Sequence, residues 1–204
     1  MKGLSMVAAI ILAAGKSERM GRPKALLDYA GTTFLAHLIE VLKSSKAGLL
    51  RVVLGHGAEE ILARVKIPAE ELVLNRDCEL GMLSSIRAGL NSLAGLAVEA
   101  ALVCPVDHPQ IGPELVDSLI DNFRASGRGI VIPVAGGRRG HPVIFAARLF
   151  EDLLNAPLAE GARHVVRTHP EEVFEVRTDE TGVLTDVDTP EDYRRLKKQE
   201  GGDG

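Results

Sequence analysis

Tryptophan is missing from this chain, and Phe and Tyr bring the aromatic fraction to only 3%. A core with so few large rings must be aliphatic, built from Leu, Val, Ile and Ala. The 46% hydrophobic content of the 204 residues is enough for one of good size. Positive charge is scarce as well: 24 Lys and Arg stand against 28 Asp and Glu, a formal net charge of −4. That balance argues against a nucleic-acid binder held by a general basic field and against an anionic membrane surface as partner. It leaves room for a few local cations gripping a small phosphate ligand. Cysteine is limited to Cys78 and Cys104, far apart and in neither a Cys-x-x-Cys pair nor a metal-ligand spacing, so they read as buried thiols. The apolar run Val7–Ala14 is too short to span a bilayer and lacks the build of a signal peptide. A reducing, cytoplasmic setting is the expectation.

What is present is an alternation of strand-like and helix-like segments. Met6–Leu12 is a continuous apolar run, the signature of a strand buried on both faces. Thr32 or Thr33 caps a helix whose apolar positions Phe34, Leu35, Leu38, Ile39 and Leu42 recur at helical spacing. Strands are expected at Leu49–Leu54, Leu72–Leu74, Ala100–Val106 and Ile130–Val134. Helices are expected from Ala58 to about Lys66, over Leu83–Leu93, and from Gly112-Pro113 to about Ala125. After Gly136 the pattern loosens. Two short strands, Val173–Val176 and Val183–Val187, flank a turn at Thr181-Gly182, and a last helix starts after Pro190. This order implies right-handed crossovers and a three-layer α/β fold with a mostly parallel sheet and a small antiparallel C-terminal part. Residues 1–200 read as a single domain and 201–204 as a disordered tail. In such sheets ligands bind beyond the carboxyl ends of the strands, so the loops after Leu12, Leu54, Leu74 and Val106 should share one rim.

Five segments carry groups suited to chemistry. The loop after the first strand, Leu12-Ala13-Ala14-Gly15 to Lys24, has glycines that let the backbone approach a ligand closely. It also holds four cations, Lys16, Arg19, Arg22 and Lys24, within nine residues. That suits a polyphosphate. It is not a Walker A loop, since five residues separate Gly15 from Gly21 and no Lys-Ser/Thr pair follows. In Cys104-Pro105-Val106-Asp107-His108-Pro109 a lone acid stands between two prolines at the end of a buried strand, well placed to ligate Mg²⁺, which takes one or two carboxylates plus substrate phosphates. In Asp186-Val187-Asp188-Thr189-Pro190-Glu191-Asp192, strand alternation would put Asp186 and Asp188 on one face, while Thr189 and Pro190 make a good helix start. Gly137-Arg138-Arg139-Gly140-His141-Pro142 is either an exposed hairpin turn or a phosphate-recognising one, given the planar fork of arginine. Ser84 and Ser85, after Gly81-Met82-Leu83, lie in the first turn of a helix, where free N–H groups meet ligand oxygens, unless they serve only as caps.

Taken in order, these segments resemble the signature of the MobA/MocA-like nucleotidyltransferases, which include the molybdenum cofactor cytidylyl- and guanylyltransferases. The matching stretches are L-A-A-G-x-S-x-R-M-G-x-x-K, G-M-x-x-S-I, C-P-V-D-x-P, G-H-P and D-x-D-T-P-E-D, spread from about Val7 to Leu196. The resemblance implies a Rossmann-like nucleotidyltransferase fold that uses Mg²⁺. Leu12, Ala13, Ala14, Gly15, Arg19, Lys24, Ser84 and Ser85 would contact the nucleotide, with Arg19, Lys24 and Asp107 catalytic. Asp107 and Asp188 would be the metal positions, and Arg139, His141 and Asp188 the acceptor positions. Guanylyl members commonly read L-A-G-G where this chain has Leu12-Ala13-Ala14-Gly15, so Ala14 leans toward CTP. The implied acceptor is molybdopterin, with a molybdoenzyme as recipient. The alternatives are a sugar- or polyol-phosphate nucleotidyltransferase of the same fold, and a non-catalytic cofactor-binding chaperone. Retention of both Lys24 and Asp107 speaks against the chaperone, which needs no metal carboxylate.

Overall fold

The computed structural model describes residues 6–200; the expected tail at 201–204 lies outside the described residues. In chain order the elements are β1 (Met6–Ala13), β2 (Asp28–Tyr29), β3 (Thr32–Thr33), α1 (Phe34–Lys43), β4 (Leu49–Leu54), α2 (Ala58–Arg64), β5 (Leu72–Leu74), α3 (Met82–Asn91), β6 (Val98–Pro105), α4 (Pro113–Ser126), β7 (Ile130–Ala135), β8 (Arg138–Arg139), β9 (Val143–Ala146), α5 (Phe150–Asn155), α6 (Arg163–Thr168), β10 (Val173–Arg177) and α7 (Pro190–Glu200). One sheet runs in the order β10-β7-β9-β6-β1-β4-β5, with β8 folded back on β7, and β2 and β3 form a separate two-residue ribbon.

β1 is the central strand. It pairs in parallel with β4 on one side and β6 on the other, and its residues alternate strictly between two cores. Val7, Ala9, Ile11 and Ala13 join the layer holding α1, α4 and Leu196 of α7. Ala8, Ile10, Leu12 and Ala14 join the layer holding α3 and Leu153 of α5. Burial on both faces is why the sequence there is an unbroken apolar run rather than an alternation. Helix α3 lies unusually close to this strand: a Cβ added at Gly89 would fall 2.7 Å from Ile10 Cγ2. Thr33 caps α1, its Oγ1 accepting from the Ala36 N–H at 3.2 Å.

The second half departs from the parallel plan. β9 is antiparallel to both β6 and β7, and β8 is antiparallel to β7. The β7–β8 hairpin turns through Gly136 and Gly137, both at positive φ (54° and 78°), a two-residue link that favours glycine. β10 forms as expected and lies parallel to β7. The expected strand Val183–Val187 does not form. Thr181–Leu184 is a turn of 3₁₀ helix, and the rest is extended chain with no ladder partner. Its polar backbone is used elsewhere: the Val183 carbonyl accepts from His141, and the Val187 N–H donates to the Asp107 carbonyl at 3.0 Å. Val183 and Val187 are both fully buried, so a strand-like run of valines here records two anchoring points rather than a sheet.

Candidate active site

The carboxyl ends of β1 and β6 open into a cleft of about 550 Å³, floored by Leu12–Gly15 and walled by Ile61, Cys78, Glu79, Gly81, Met82, Pro105–Asp107 and Asp188. This is where a doubly wound sheet holds its ligand. The floor is tight: a Cβ on Gly55 would fall 2.9 Å from Ala14 Cβ and 2.7 Å from Cys78 Cβ. Ala14 is buried, and its carbonyl accepts from the His56 N–H at 3.2 Å.

Beyond Gly15 the loop folds on itself. Ser17 takes a left-handed conformation, Glu18–Met20 form one 3₁₀ turn, and Ser17 Oγ accepts from the Lys24 backbone N–H at 3.0 Å. The closure aims Arg19 and Lys24 at the carboxylates. Lys24 Nζ sits 2.9 Å from Asp107 Oδ2 and also bonds Asp188 Oδ1, while Arg19 Nη2 reaches Asp188 Oδ2 at 2.6 Å. Four groups from three distant parts of the chain thus converge, with Arg19 and Asp188 169 residues apart. The four sequence cations do not act as one set. Arg22 stacks over the Tyr193 ring, 5.7 Å from its centroid, and Lys16 pairs with Glu79.

Lys24 is only 12% exposed. Burial works against its charge, but Asp107 and Asp188 outweigh it and hold the ammonium above its ordinary pKa. Burial likewise works against ionised Asp188, and Lys24 and Arg19 outweigh it, so its carboxyl is held below its ordinary value. The quartet thus sets two basic side chains against two carboxyl groups. Among the described residues no group of three or more His, Cys, Asp or Glu side chains converges as a metal cage. Two carboxylates whose remaining partners must be phosphate oxygens or water fit a hard divalent cation such as Mg²⁺, and Asp107 with Asp188 supply that pair. Asp186 is exposed and takes no part in this cluster, and no strand forms beneath the two acids. Thr189 and Asp192 are structural: Asp192 Oδ2 accepts from the Thr189 N–H at 2.8 Å, and Thr189 Oγ1 accepts from the Asp192 N–H at 3.2 Å, a reciprocal cap on α7.

The two serines separate. Ser85 lines the cleft, whereas Ser84 lines a second hollow and is tied to the Gly81 carbonyl and the Asn75 amide. Arg139 and His141 are not on the cleft wall. Arg139 is an exposed side chain of β8 bonded to Glu175 at 2.7 Å. His141 is packed against His108, ring centroids 5.0 Å apart, with its Nδ1 buried and unpaired. Burial, reinforced by His108, pushes the His141 pKa down to about 4, so the imidazole is neutral. The turn therefore backs onto the residue after Asp107 instead of opening into the cleft. Sequence reasoning missed Glu79 and His56, which meet on the opposite cleft wall with Lys16. Neither stands in a recognisable motif, and the only signal is Glu79's place just before Gly81.

The sequence pattern of the MobA-like NTP transferase domain matches residues 9–173, most of the chain. A nicotine blue oxidoreductase from Paenarthrobacter nicotinovorans is 32% identical over 203 residues, covering 95% of this chain and 97% of the relative. A probable molybdenum cofactor guanylyltransferase from Mycolicibacterium paratuberculosis is 27% identical, covering 93% and 94%. Among solved structures, the Rv0371c homolog from Mycobacterium sp. strain JC1 superposes with a TM-score of 0.84 at 32% identity, covering 95% and 96%. A Mycobacterium tuberculosis H37Rv protein solved in complex with manganese gives 0.78 at 27% identity, covering 95% and 99%. The Rossmann-like α/β fold together with this family pattern places the chain in the nucleotidyltransferase class. The chain belongs to the MobA-like NTP transferase family.

Proposed function

We propose that the protein transfers a nucleoside monophosphate, CMP from CTP, to the terminal phosphate of molybdopterin, releasing pyrophosphate. The observation that carries this reading is the ion quartet: half-buried Lys24 bridges Asp107 and Asp188 while Arg19 pairs with Asp188 from the exposed side, on the rim of a cleft of about 550 Å³. The acceptor phosphate oxygen, already anionic, attacks the α-phosphorus in line, so no general base is needed. The new P–O bond forms as the bond to the pyrophosphate oxygen breaks. Lys24 and Arg19 neutralise charge that develops on the α-phosphate and the leaving group. Asp107 and Asp188 would hold Mg²⁺, which when bound supplies charge neutralisation on the triphosphate. Backbone from Leu12 to Gly15 and the buried Ser85 border the nucleotide; Arg139 and His141 are assigned to the acceptor side. The setting is cytoplasmic, with Cys78 and Cys104 as free thiols and the product handed to a molybdoenzyme.

The preference for CTP rests on Ala14. Ala14 lines the cleft floor and its methyl packs close to Gly55; on this reading it takes up room that a purine would need. The relatives named guanylyltransferases make GTP the rival donor. The experiment is pyrophosphate release with each of the four NTPs, Mg²⁺ and molybdopterin. Release with CTP at least tenfold above GTP supports the full reading. Equal use of GTP removes the cytidylyl assignment and leaves nucleotidyl transfer, and no release with any NTP removes the reading.

A further inference from the structure

The cleft contains a second charge cluster with no part in the quartet. Glu79, just before α3, accepts from Lys16 Nζ at 2.6 Å, and His56 Nε2 comes within 2.8 Å of its other oxygen. The His56 approach is not aligned for a hydrogen bond, so a buried ring nitrogen remains without a partner. Three loops, after β1, after β4 and before α3, thus meet at one carboxylate on the cleft wall.

We propose that Glu79 is the base-selecting residue of the cleft, its carboxylate accepting from the amino edge of the nucleobase and so favouring CTP over UTP. This rests on the nucleotidyl-transfer reading above. The first argument is location. The quartet takes one part of the cleft for phosphates, leaving the wall formed by Ala14, Ile61, Cys78 and Met82 for the rest of the nucleotide. That wall is apolar, as the face of a flat ring requires, and Met82 is 56% exposed beside it, a polarizable thioether suited to stacking on a base. Glu79 and Lys16 stand at its edge, with the more exposed Glu18 3.7 Å from the same Lys16 ammonium.

The second argument is hydrogen-bond pattern. An ionised Glu only accepts and an ammonium only donates. Cytosine presents an amino donor at C4 beside two acceptors, N3 and O2, which match Glu79 and Lys16. Uracil places a carbonyl oxygen where cytosine has its amine, so the carboxylate would face another acceptor with no hydrogen between them. Sites built to pair with a substrate N–H or O–H reject analogues that lack it far more strongly than apolar pockets reject a change of size. Guanine also offers donors at N1 and N2. Glu79 therefore separates amino-bearing bases from uracil, and the choice between cytosine and guanine stays with the ring-size constraint at Ala14. The third argument is preorganisation. Hydrogen bonding to Lys16 holds the Glu79 carboxyl below its ordinary pKa, so it meets the base already ionised and aimed.

The test is calorimetric binding of CTP, GTP and UTP with Mg²⁺ and no acceptor, in the wild type and in Glu79→Gln and Glu79→Ala. Glu79 is 57% exposed, so both variants are expected to fold, which a thermal melt verifies. The wild type is expected to bind CTP at least tenfold more tightly than UTP. Both variants should lose most of that ratio through weaker CTP binding, with UTP affinity held or raised. An unchanged CTP:UTP ratio, or an equal loss for all three nucleotides, makes Glu79 a strap between loops and overturns the proposal. Wild-type protein that binds no NTP overturns the transfer reading itself.

Discussion

The two halves of the sheet are built differently, and the difference divides the chemistry. β1, β4, β5 and β6 run parallel, and the ends of β1 and β6 line one cleft with Ile61 of α2 and the segment before α3. On the other side β8 and β9 reverse direction, and the turn between them packs against His108 behind Asp107. Parallel strands concentrate loop ends on a single rim, whereas an antiparallel insertion delivers its turn as a buttress. On the proposed reading, this division gives nucleotide handling to the first half, and the acceptor side with support of Asp107 to the second.

The largest expected effect falls where the halves meet. Asp107→Asn should lower kcat by roughly 10²–10³, the usual loss on removing one charge-stabilising group, while leaving the thermal midpoint nearly unchanged. A folded Asn variant with near-wild-type turnover in Mg²⁺ would take Asp107 out of the site. Next comes Lys24→Ala, expected to raise the NTP KM and lower kcat together, because its ammonium meets phosphate in both ground and transition states. It also strips Asp107 of its lysine partner and leaves Asp188 with Arg19 alone. Arg19→Ala, at a side chain 66% exposed, should do the same more weakly. A change confined to the acceptor KM would move both cations across the divide.

His141 tests the other half. His141→Ala should leave CTP binding by calorimetry nearly unchanged and raise the acceptor KM; loss of the CTP signal would merge the two halves into one site. The imidazole also carries a pH signature. Its folded pKa is about 4, below the ordinary value of 6.5. Between those values the unfolded chain takes up a proton that the folded chain refuses, so stability should fall as pH drops from about 6.5 to 4. His141→Gln should flatten that part of the melting-temperature profile, and an unaltered profile would place the acid sensitivity elsewhere. The smallest expected effect is Ala14→Gly, a shift of the CTP:GTP ratio in kcat/KM by a factor of about ten or less, since one methyl in an apolar pocket is a weak sieve. An unchanged ratio moves base size selection off this residue.

The parallel half was legible in the sequence because its signals are local. An unbroken apolar run means burial on both faces, and Thr33 before Phe34, Leu35 and Leu38 announces a capped helix. The approach of Lys24 to Asp107 followed from strand direction, which sends every β-to-α loop to the same rim. An antiparallel part after Gly136 was expected, but its strand β9 was not legible, because it is four residues long and reads the same whichever way its neighbours run. Val183–Val187 misled because valines anchoring a loop look like valines in a strand. Neither the pairing of Lys16 with Glu79 nor the stacking of Arg22 on Tyr193 could be read from a run of cations, since each partner is supplied by a distant segment.

The hydrogen bond from the Val187 N–H to the Asp107 carbonyl ties the segment before α7 to the end of β6. Asp188 lies beyond the 9–173 stretch that the family pattern matches, so the second carboxylate of the quartet is held by backbone pairing outside that stretch and not by the sheet. On the proposed reading, loosening the segment around Val187 would leave Lys24 facing Asp107 on an intact sheet and would withdraw the second metal-holding group alone.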